Sequence, residues 1–417
     1  MISRAEAEAL DRADPLAPLR QRVVIANPSR LYLDGNSLGR LPVATRVRLQ
    51  QVIDAEWGEG LVESWAQWID LDKRLGDKLA CHFLGAAAGE VLVSDSTTVN
   101  LYKLVGAAVA SGKTVLVTDG DNFPTDRYVL QGWAQQLGVT LNVFASHPVY
   151  GPQAAEVATA LRHVPHGTAL VCLSHVSYRS GALADMAAIN AVVHQAGGWV
   201  LWDLCHAVGA VPIALHATGT ELAVGCTYKY LNGGPGAPAF LYVRRDLQET
   251  LRSPIWGWFG QRDQFAFGAQ YQPAPGVQRF ATGTPPVVAM AAIEPGLDLL
   301  LEAGLERLRH KSIALTALLI ALYDAWLAPY GFTLGTPREP QRRGSHVALR
   351  HPEAYRISRA LLRAGVVVDF REPDTLRCGL APLYTRFVDV WEAMDRLRTL
   401  MATQAYTAFS PTRARVT

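Results

Sequence analysis

Long apolar runs, paired cysteines and an excess of charge of one sign are all missing from this chain of 417 residues. The formal net charge is only +2, too little for the field that phosphate backbones or anionic lipid surfaces require. Basic residues are scattered, and pairs such as Arg342-Arg343 are too short to form a stripe. Residues 313–323 form the longest apolar stretch, which stops at Asp324 and falls short of the roughly 20 residues that cross a bilayer. Nucleic acid and membrane are therefore not expected as partners. Cysteine occurs at 81, 172, 205, 226 and 378. That odd number, with no C-x-x-C spacing, supports neither a disulfide framework nor a zinc ribbon, and no metal is expected. A reducing, cytoplasmic compartment is the expectation. Residues 1–13 carry Arg4, Glu6, Glu8 and Asp11 and no apolar core, so no secretory leader is expected there. G-x-G-x-x-G and P-loop patterns are also missing, which disfavours dinucleotide and nucleotide chemistry.

What the chain does have is apolar and periodic. Apolar residues make up 49% and charged residues 18%, a balance suited to a well-buried enzyme with one large domain and a smaller one. Residues 31–33 read as a short strand, and 43–57 and 72–84 carry helical periodicity. From residue 90, short apolar strands at 91–93, 114–118, 141–144, 169–173, 199–202, 221–225 and 239–243 alternate with helices at 99–110, 126–137, 154–162 and 187–196. This alternation predicts an α/β domain with a mainly parallel sheet covered by helices on both faces. After residue 285 the pattern changes. Helical segments over 287–328 and a Pro-, Gly- and Arg-rich loop over 329–344 precede short strands at 347–349, 366–368 and 375–378, set among helices at 352–364 and 386–402. That pattern predicts a smaller α+β domain. The expected division is an N-terminal segment 1–60 joining the small domain, a large domain 61–290 and a small domain 291–417.

Lys229 stands in an unusual place. Glu221-Leu222-Ala223-Val224-Gly225 reads as a buried strand, and Leu231-Asn232-Gly233-Gly234-Pro235-Gly236 as a tight turn. A lysine pinned there loses its charge more readily than one in solvent, and a neutral amine is a nucleophile. The plainer reading is a surface lysine, as most lysines are. Asp203 ends the strand before, where open α/β sheets place their ligands. A lysine and a carboxylate on neighbouring strand ends match the needs of pyridoxal 5'-phosphate. The lysine forms an imine, and the carboxylate keeps the ring nitrogen protonated. Taken alone, Asp203 would also serve as a cap or an Asx turn.

Further candidates surround this pair. Thr97 and Thr98 open a helix after a strand, where free N–H groups and hydroxyls bind phosphate, or merely cap the helix. Phe123, in Asn122-Phe123-Pro124-Thr125-Asp126, is placed to stack on a flat ring or to pack under its loop. His206 follows Asp203 by three residues, and Tyr228 adjoins Lys229. Arg377 ends a strand of the small domain, where a substrate carboxylate would meet a forked guanidinium. Gly35-Asn36-Ser37-Leu38-Gly39 matches the nucleophile elbow of serine hydrolases. Pro42, however, restricts Leu41 away from helix just where the elbow helix must run. His163-Val164-Pro165-His166 lacks metal-ligand company and reads as a surface loop.

Several of these segments, in order, resemble the kynureninase family of fold-type I pyridoxal phosphate enzymes. They are Tyr32-Leu33-Asp34-Gly35-Asn36-Ser37-Leu38-Gly39, Asn122-Phe123-Pro124-Thr125-Asp126, Asp203-Leu204-Cys205-His206-Ala207-Val208-Gly209, Tyr228-Lys229-Tyr230-Leu231-Asn232, Gly257-Trp258-Phe259-Gly260 and Pro382-Leu383-Tyr384. The resemblance covers nearly the whole chain. It implies a seven-stranded, class V aminotransferase-like large domain and a homodimer with shared active sites. It implies that Lys229 is the Schiff-base lysine, that Asp203 partners the ring nitrogen and that Phe123 stacks on the ring. Thr97, Thr98, Asp126, Ser180, His206 and Tyr228 would be the other cofactor contacts, with Trp258 and Thr284 supplied by the second subunit. Arg377 would hold the substrate carboxylate, and Trp65 with Thr284 would face the substrate's aromatic ring as in bacterial-type members. Cys205 stands where the resemblance leads one to expect alanine. The implied reaction is hydrolysis of L-kynurenine, or its 3-hydroxy analogue, to the anthranilate and L-alanine, with Tyr228 moving protons in the later steps. The competing readings are an aminotransferase, a cysteine desulfurase or a non-catalytic binding protein on the same fold. A desulfurase wants a cysteine on a mobile loop, which neither Cys226 nor Cys378 offers.

Overall fold

The computed structural model describes residues 3–413. Its strands, in chain order, are β1 (Leu31–Tyr32), β2 (Val91–Ser94), β3 (Val115–Asp119), β4 (Thr140–Phe144), β5 (Ala169–Ser174), β6 (Trp199–Asp203), β7 (Leu222–Gly225), β8 (Ala239–Val243), β9 (Thr333–Leu334), β10 (His346–Arg350), β11 (Val366–Val367), β12 (Asp369–Arg371) and β13 (Thr375–Gly379). Seven of them form one sheet in the order β2-β8-β7-β6-β5-β3-β4. Six strands run one way, and β8 alone runs against its neighbours β2 and β7. The fold is therefore α/β with a mainly parallel sheet.

Period-2 alternation builds an apolar layer on each face of this sheet. Leu116, Leu170, Leu201 and Leu222 turn to one core, with the helix Thr97–Ala110. Val117, Val171, Val200 and Ala223 turn to the other, with the helix Met186–Gln195. Both sides being buried is why these strands read as unbroken apolar runs rather than alternating ones.

A third core gathers Leu31, Leu33, Leu315, Leu349, Phe370, Leu376 and Met394. It lies against a four-stranded antiparallel sheet, β12-β13-β10-β9. β1 pairs in parallel with β11, so Leu31 lies opposite Val366. Asp11 on the first helix accepts the Phe387 and Val388 amides, at 2.7 and 3.0 Å, of the last long helix.

The elements depart from the periodicity in instructive places. The helical stretch 287–328 is three helices, Val287–Ala291, Glu294–Ala303 and Leu305–Trp326. The last break falls at Gly304, whose φ of 79° is left-handed. The loop 329–344 conceals β9, too short to show alternation. Residues 366–368 are not one strand, since β11 and β12 join different sheets on either side of Val368. Helix Val43–Gln51 widens into a π-helical turn, Val52–Gly60. Among the described residues, no helix is long and apolar enough to cross a membrane, and no cluster of three or more His, Cys, Asp or Glu is placed to hold a metal ion.

Candidate active site

The carboxyl ends of β2, β3, β6 and β7 open on one side of the sheet, and a cavity of about 490 Å³ sits there. Lys229 enters it from the turn after β7. Three contacts pin that turn. Thr227 Oγ1 donates to the Pro238 carbonyl at 2.7 Å, the Gly233 amide to the Thr227 carbonyl at 2.9 Å, and the Asn232 amide to the Lys229 carbonyl at 3.0 Å. The N-terminal segment braces it from behind. The Gly39 amide donates to the Tyr228 carbonyl at 2.9 Å, and a side chain at Gly39 would meet the Lys229 carbonyl oxygen at 2.3 Å. Lys229 is consequently 9% exposed, which removes the surface reading. Its Nζ lies 3.3 Å from His206 Nε2 and 6.0 Å from the centre of the Phe123 ring.

Asp203 is buried at the end of β6, and its Oδ1 accepts the Cys205 amide at 2.7 Å. Asp126 is fully buried, and neither of its carboxylate oxygens has a hydrogen-bond partner. Burial first, and the negative Asp203 second, push the Asp126 carboxyl well above the ordinary range. Burial, then the charge of Lys229, pushes His206 well below its usual value, leaving a neutral imidazole beside the amine.

The helix Thr97–Ala110 starts at the cavity, with Ser96 as N-cap accepting the Val99 amide. The amides of Thr97 and Thr98 have no carbonyl one turn earlier to bond, and both residues line the cavity. Lys103, wholly buried on this helix, ties its start to Asp95 (2.8 Å) and to the Phe280 carbonyl (2.7 Å). Asn122 fixes the Phe123 loop, accepting the Phe123 amide at 2.8 Å and the Ser174 hydroxyl at 2.7 Å. One end of the cavity thus presents anion-binding amides, the other buried carboxylates, and Phe123 lies between. A flat cationic ring carrying a phosphate fits this donor set, and a cationic ring nitrogen would answer the unpaired oxygens of Asp126.

The structure brings Thr97, Thr98, Phe123, Asp126, Asp203, His206, Tyr228 and Lys229 to this one cavity. It does not bring the others there. Ser180 is engaged in its own loop, its hydroxyl accepting the Ala182 amide at 3.2 Å. Arg377 is buried against Asp369 (Nε to Oδ2, 2.7 Å), the Tyr178 carbonyl (2.5 Å) and the Ser37 hydroxyl (3.4 Å). Tyr178 in turn packs edge-on against Phe123, with ring centres 5.1 Å apart. Trp65 packs on Trp68 and Phe259, Trp258 is exposed beside Phe259 and Phe265, and Thr284 is exposed. Ser37, the elbow serine, meets Arg377 rather than a histidine. Residues that no chemical signal singled out also line the cavity: Gly236, Ala237, Pro238, Ala239 and Pro286. Only the turn signature of the Gly/Pro run pointed towards most of them.

Comparison with known proteins follows this geometry. A family model described as the kynureninase C-terminal domain matches residues 308–397. The chain is 44% identical to the kynureninase of Burkholderia pseudomallei (strain 1106a) across the whole of both chains. It is 45% identical to the kynureninase of Pseudomonas fluorescens over 95% of each. Among solved structures it resembles an apo cysteine desulfurase from Thermococcus onnurineus NA1, with a TM-score of 0.78 at 16% identity over 93% of this chain and 98% of the other. It also resembles a C-DES mutant with glycine covalently linked to its PLP cofactor, with a TM-score of 0.79 at 18% identity over 95% and 99%. Those two likenesses establish the fold.

Proposed function

The chain belongs to the kynureninase family, and we infer from its cavity how it performs that family's reaction. It is a pyridoxal 5'-phosphate-dependent hydrolase that splits the Cβ–Cγ bond of L-kynurenine to give anthranilate and L-alanine. When bound, the cofactor supplies a carbonyl carbon for an amine and a protonated ring that accepts the electrons freed at the substrate's carbon atoms.

The chain's own residues do the rest. Lys229 Nζ is the amine that would hold the cofactor's carbonyl carbon, and it is placed to take the proton from the substrate's Cα. The buried Asp203 would hold the proton on the ring nitrogen, and Asp126, whose carboxyl burial and then Asp203 push well above the ordinary range, would add a second carboxyl nearby. The amides of Thr97 and Thr98 would receive the phosphate at the helix start. Phe123 would pack on the ring. His206, kept neutral, accepts from the lysine and limits its motion. Tyr228, half-buried in the same cavity, passes protons in the later steps. Ser180 is assigned to the cofactor's surroundings and Arg377 to the substrate carboxylate. For Arg377 the support is its link through Tyr178 to Phe123.

The remaining assigned residues need a second copy of the chain. Trp258, Phe265, Phe267, Trp57 and Val62 are exposed apolar side chains, more than an isolated surface normally leaves in water. An apolar hollow of about 660 Å³, lined by Leu49, Trp57, Trp68 and Val287, adjoins the cofactor cavity through Ala237 and Pro286. A homodimer would cover this face, bringing Trp258 and Thr284 to the partner's cavity, with Trp65 and Thr284 against the substrate's ring. A reducing, cytoplasmic setting suits the five free cysteines.

The observation carrying the assignment is the buried Lys229 amine facing Phe123 and His206 at the strand ends that also hold Asp203. Anthranilate fluorescence on addition of L-kynurenine tests it. Release from the wild type and none from Lys229→Ala is the expected result. Sulfide from cysteine without anthranilate would overturn it in favour of a desulfurase. That alternative lacks support from the cysteines, since Cys172, Cys205, Cys226 and Cys378 are buried and the exposed Cys81 lies outside the cavity. Comparing kcat/KM for L-kynurenine and 3-hydroxykynurenine, with Thr284→Asn alongside, tests which substrate is preferred.

A further inference from the structure

Two thiols that the reaction does not use meet beneath the cavity. Asp203 of β6 lies in register with Val224 of β7, and the Leu204 amide extends the ladder to the Val224 carbonyl at 2.8 Å. Two residues beyond each of that pair stand Cys205 and Cys226. Cys226 Sγ lies 3.7 Å from the Cys205 carbonyl oxygen, and each thiol shifts the other's titration. Both stand just past the strand ends, beside the pair Asp203–Val224 that keeps the strand spacing of about 4.8 Å, and a disulfide spans Cα atoms roughly 4.4–6.8 Å apart. The pair is asymmetric. Cys205 lines the cavity, with its Sγ 3.6 Å from Thr97 Oγ1, whereas Cys226 is sealed behind it.

We propose that Cys205 and Cys226 form an oxidisable pair, closed to a disulfide by a hydroperoxide that enters through the cofactor cavity. The Cys205 sulfur attacks the outer oxygen of the hydroperoxide. The O–O bond breaks, sulfur becomes a sulfenic acid, and the alcohol leaves with the thiol proton. The Cys226 sulfur then attacks the Cys205 sulfur, and the displaced hydroxide takes the Cys226 proton as water. Two thiols and one hydroperoxide thus yield one disulfide, one alcohol and one water. The contact with Cys226 first, then burial and the charge of Asp203, push the Cys205 thiol well up with Lys229 only partly opposing, whereas for Cys226 burial is outweighed by the Cys205 contact and Lys229, which bring its thiol down. Access through an emptied cavity governs the rate. The bond ties the loop whose amide holds Asp203 Oδ1 to the turn that carries Lys229, and it draws Cys205 away from Thr97. Cofactor affinity falls as a result.

The inference rests on the cofactor reading only for the identity of what fills the cavity. The test uses the holoenzyme and the same protein stripped of cofactor, both carrying Cys81→Ser so that the exposed thiol is silent. Each is treated with hydrogen peroxide, blocked with N-ethylmaleimide and digested for mass spectrometry. The expected result is a peptide pair joined through residues 205 and 226, two hydrogens lighter than the thiols. It should form several-fold faster without cofactor, be released by dithiothreitol, and be missing from Cys205→Ala and from Cys226→Ala. Recovery of both cysteines as maleimide adducts, overoxidation of Cys205 without a cross-link, or equal rates with and without cofactor would each overturn the proposal. Failure of untreated protein to take up pyridoxal phosphate would instead sink the functional reading, because the peptide masses report thiols alone.

Discussion

Asp126 has no partner inside the chain for either of its oxygens, yet water does not reach it. A carboxyl in that state is held for a group that arrives later. Asp126→Asn should weaken pyridoxal phosphate binding about tenfold or more, the worth of one hydrogen bond to a charged group, without lowering the melting temperature of the cofactor-free protein. Fluorescence titration and thermal melts check the two halves separately. Asp34 is a second, half-buried carboxyl, with its Oδ1 out of contact with water and without a partner. Burial, then the charge of Asp369, pushes it up to about 6, against the opposing effect of Ser37 and Arg377. Because its folded value is raised, its contribution to stability is complete below the ordinary carboxylate value near ~3.9 and is lost as pH rises through about 6. Thermal melts from acid to neutral pH should show this loss, on the order of 3 kcal/mol, and Asp34→Asn should flatten it.

Among elements, the turn that carries the lysine depends on a segment far from it in sequence. Gly39 lies so close to the Lys229 carbonyl and to Asn232 that any side chain must push the turn aside. Gly39→Ala should cost about 1–3 kcal/mol and lower kcat more than it raises KM. Unfolding curves and kynurenine kinetics would show both effects. Ser96→Ala should remove the N-cap of the helix bearing Thr97 and Thr98, at about 1 kcal/mol, and loosen phosphate binding in the same titration. This scale also explains what was legible in the sequence. Lys229, Asp203, His206, Thr97 and Phe123 stand out because charged and aromatic side chains at strand ends and helix starts carry a chemical signal. Gly236, Ala237, Pro238 and Pro286 line the same cavity through backbone shape, which residue type announces only as a turn. The partners already holding Arg377 are remote in sequence, as Tyr178 and Ser37 show, and no local pattern encodes such a meeting. β9 and the split at Val368 escape for a related reason, since two- and three-residue strands are too brief to display a period.

For the whole molecule, the proposed shared-site dimer makes a quantitative prediction. Lys229→Ala and Trp258→Ala chains should each be nearly inactive alone. Mixed after dissociation, half the dimers are hybrids, and each hybrid has one cavity with both residues intact. About a quarter of wild-type activity should therefore return. Recovery no greater than the sum of the two variants would mean that each cavity is built from one chain. The pairing of β1 with β11, and of the first helix with the last, also bears on how the protein is made. On a ribosome, Leu31 emerges on the order of half a minute before Val366, the residue it must lie beside. Until then the segment that braces the Lys229 turn has no strand to join. The large sheet can close once β8 is out, but the lysine is locked in place only at the end of synthesis. A nascent or C-terminally truncated chain would thus carry Thr97, Thr98, Phe123, Asp126, Asp203, His206, Tyr228 and Lys229 and still hold its amine loosely.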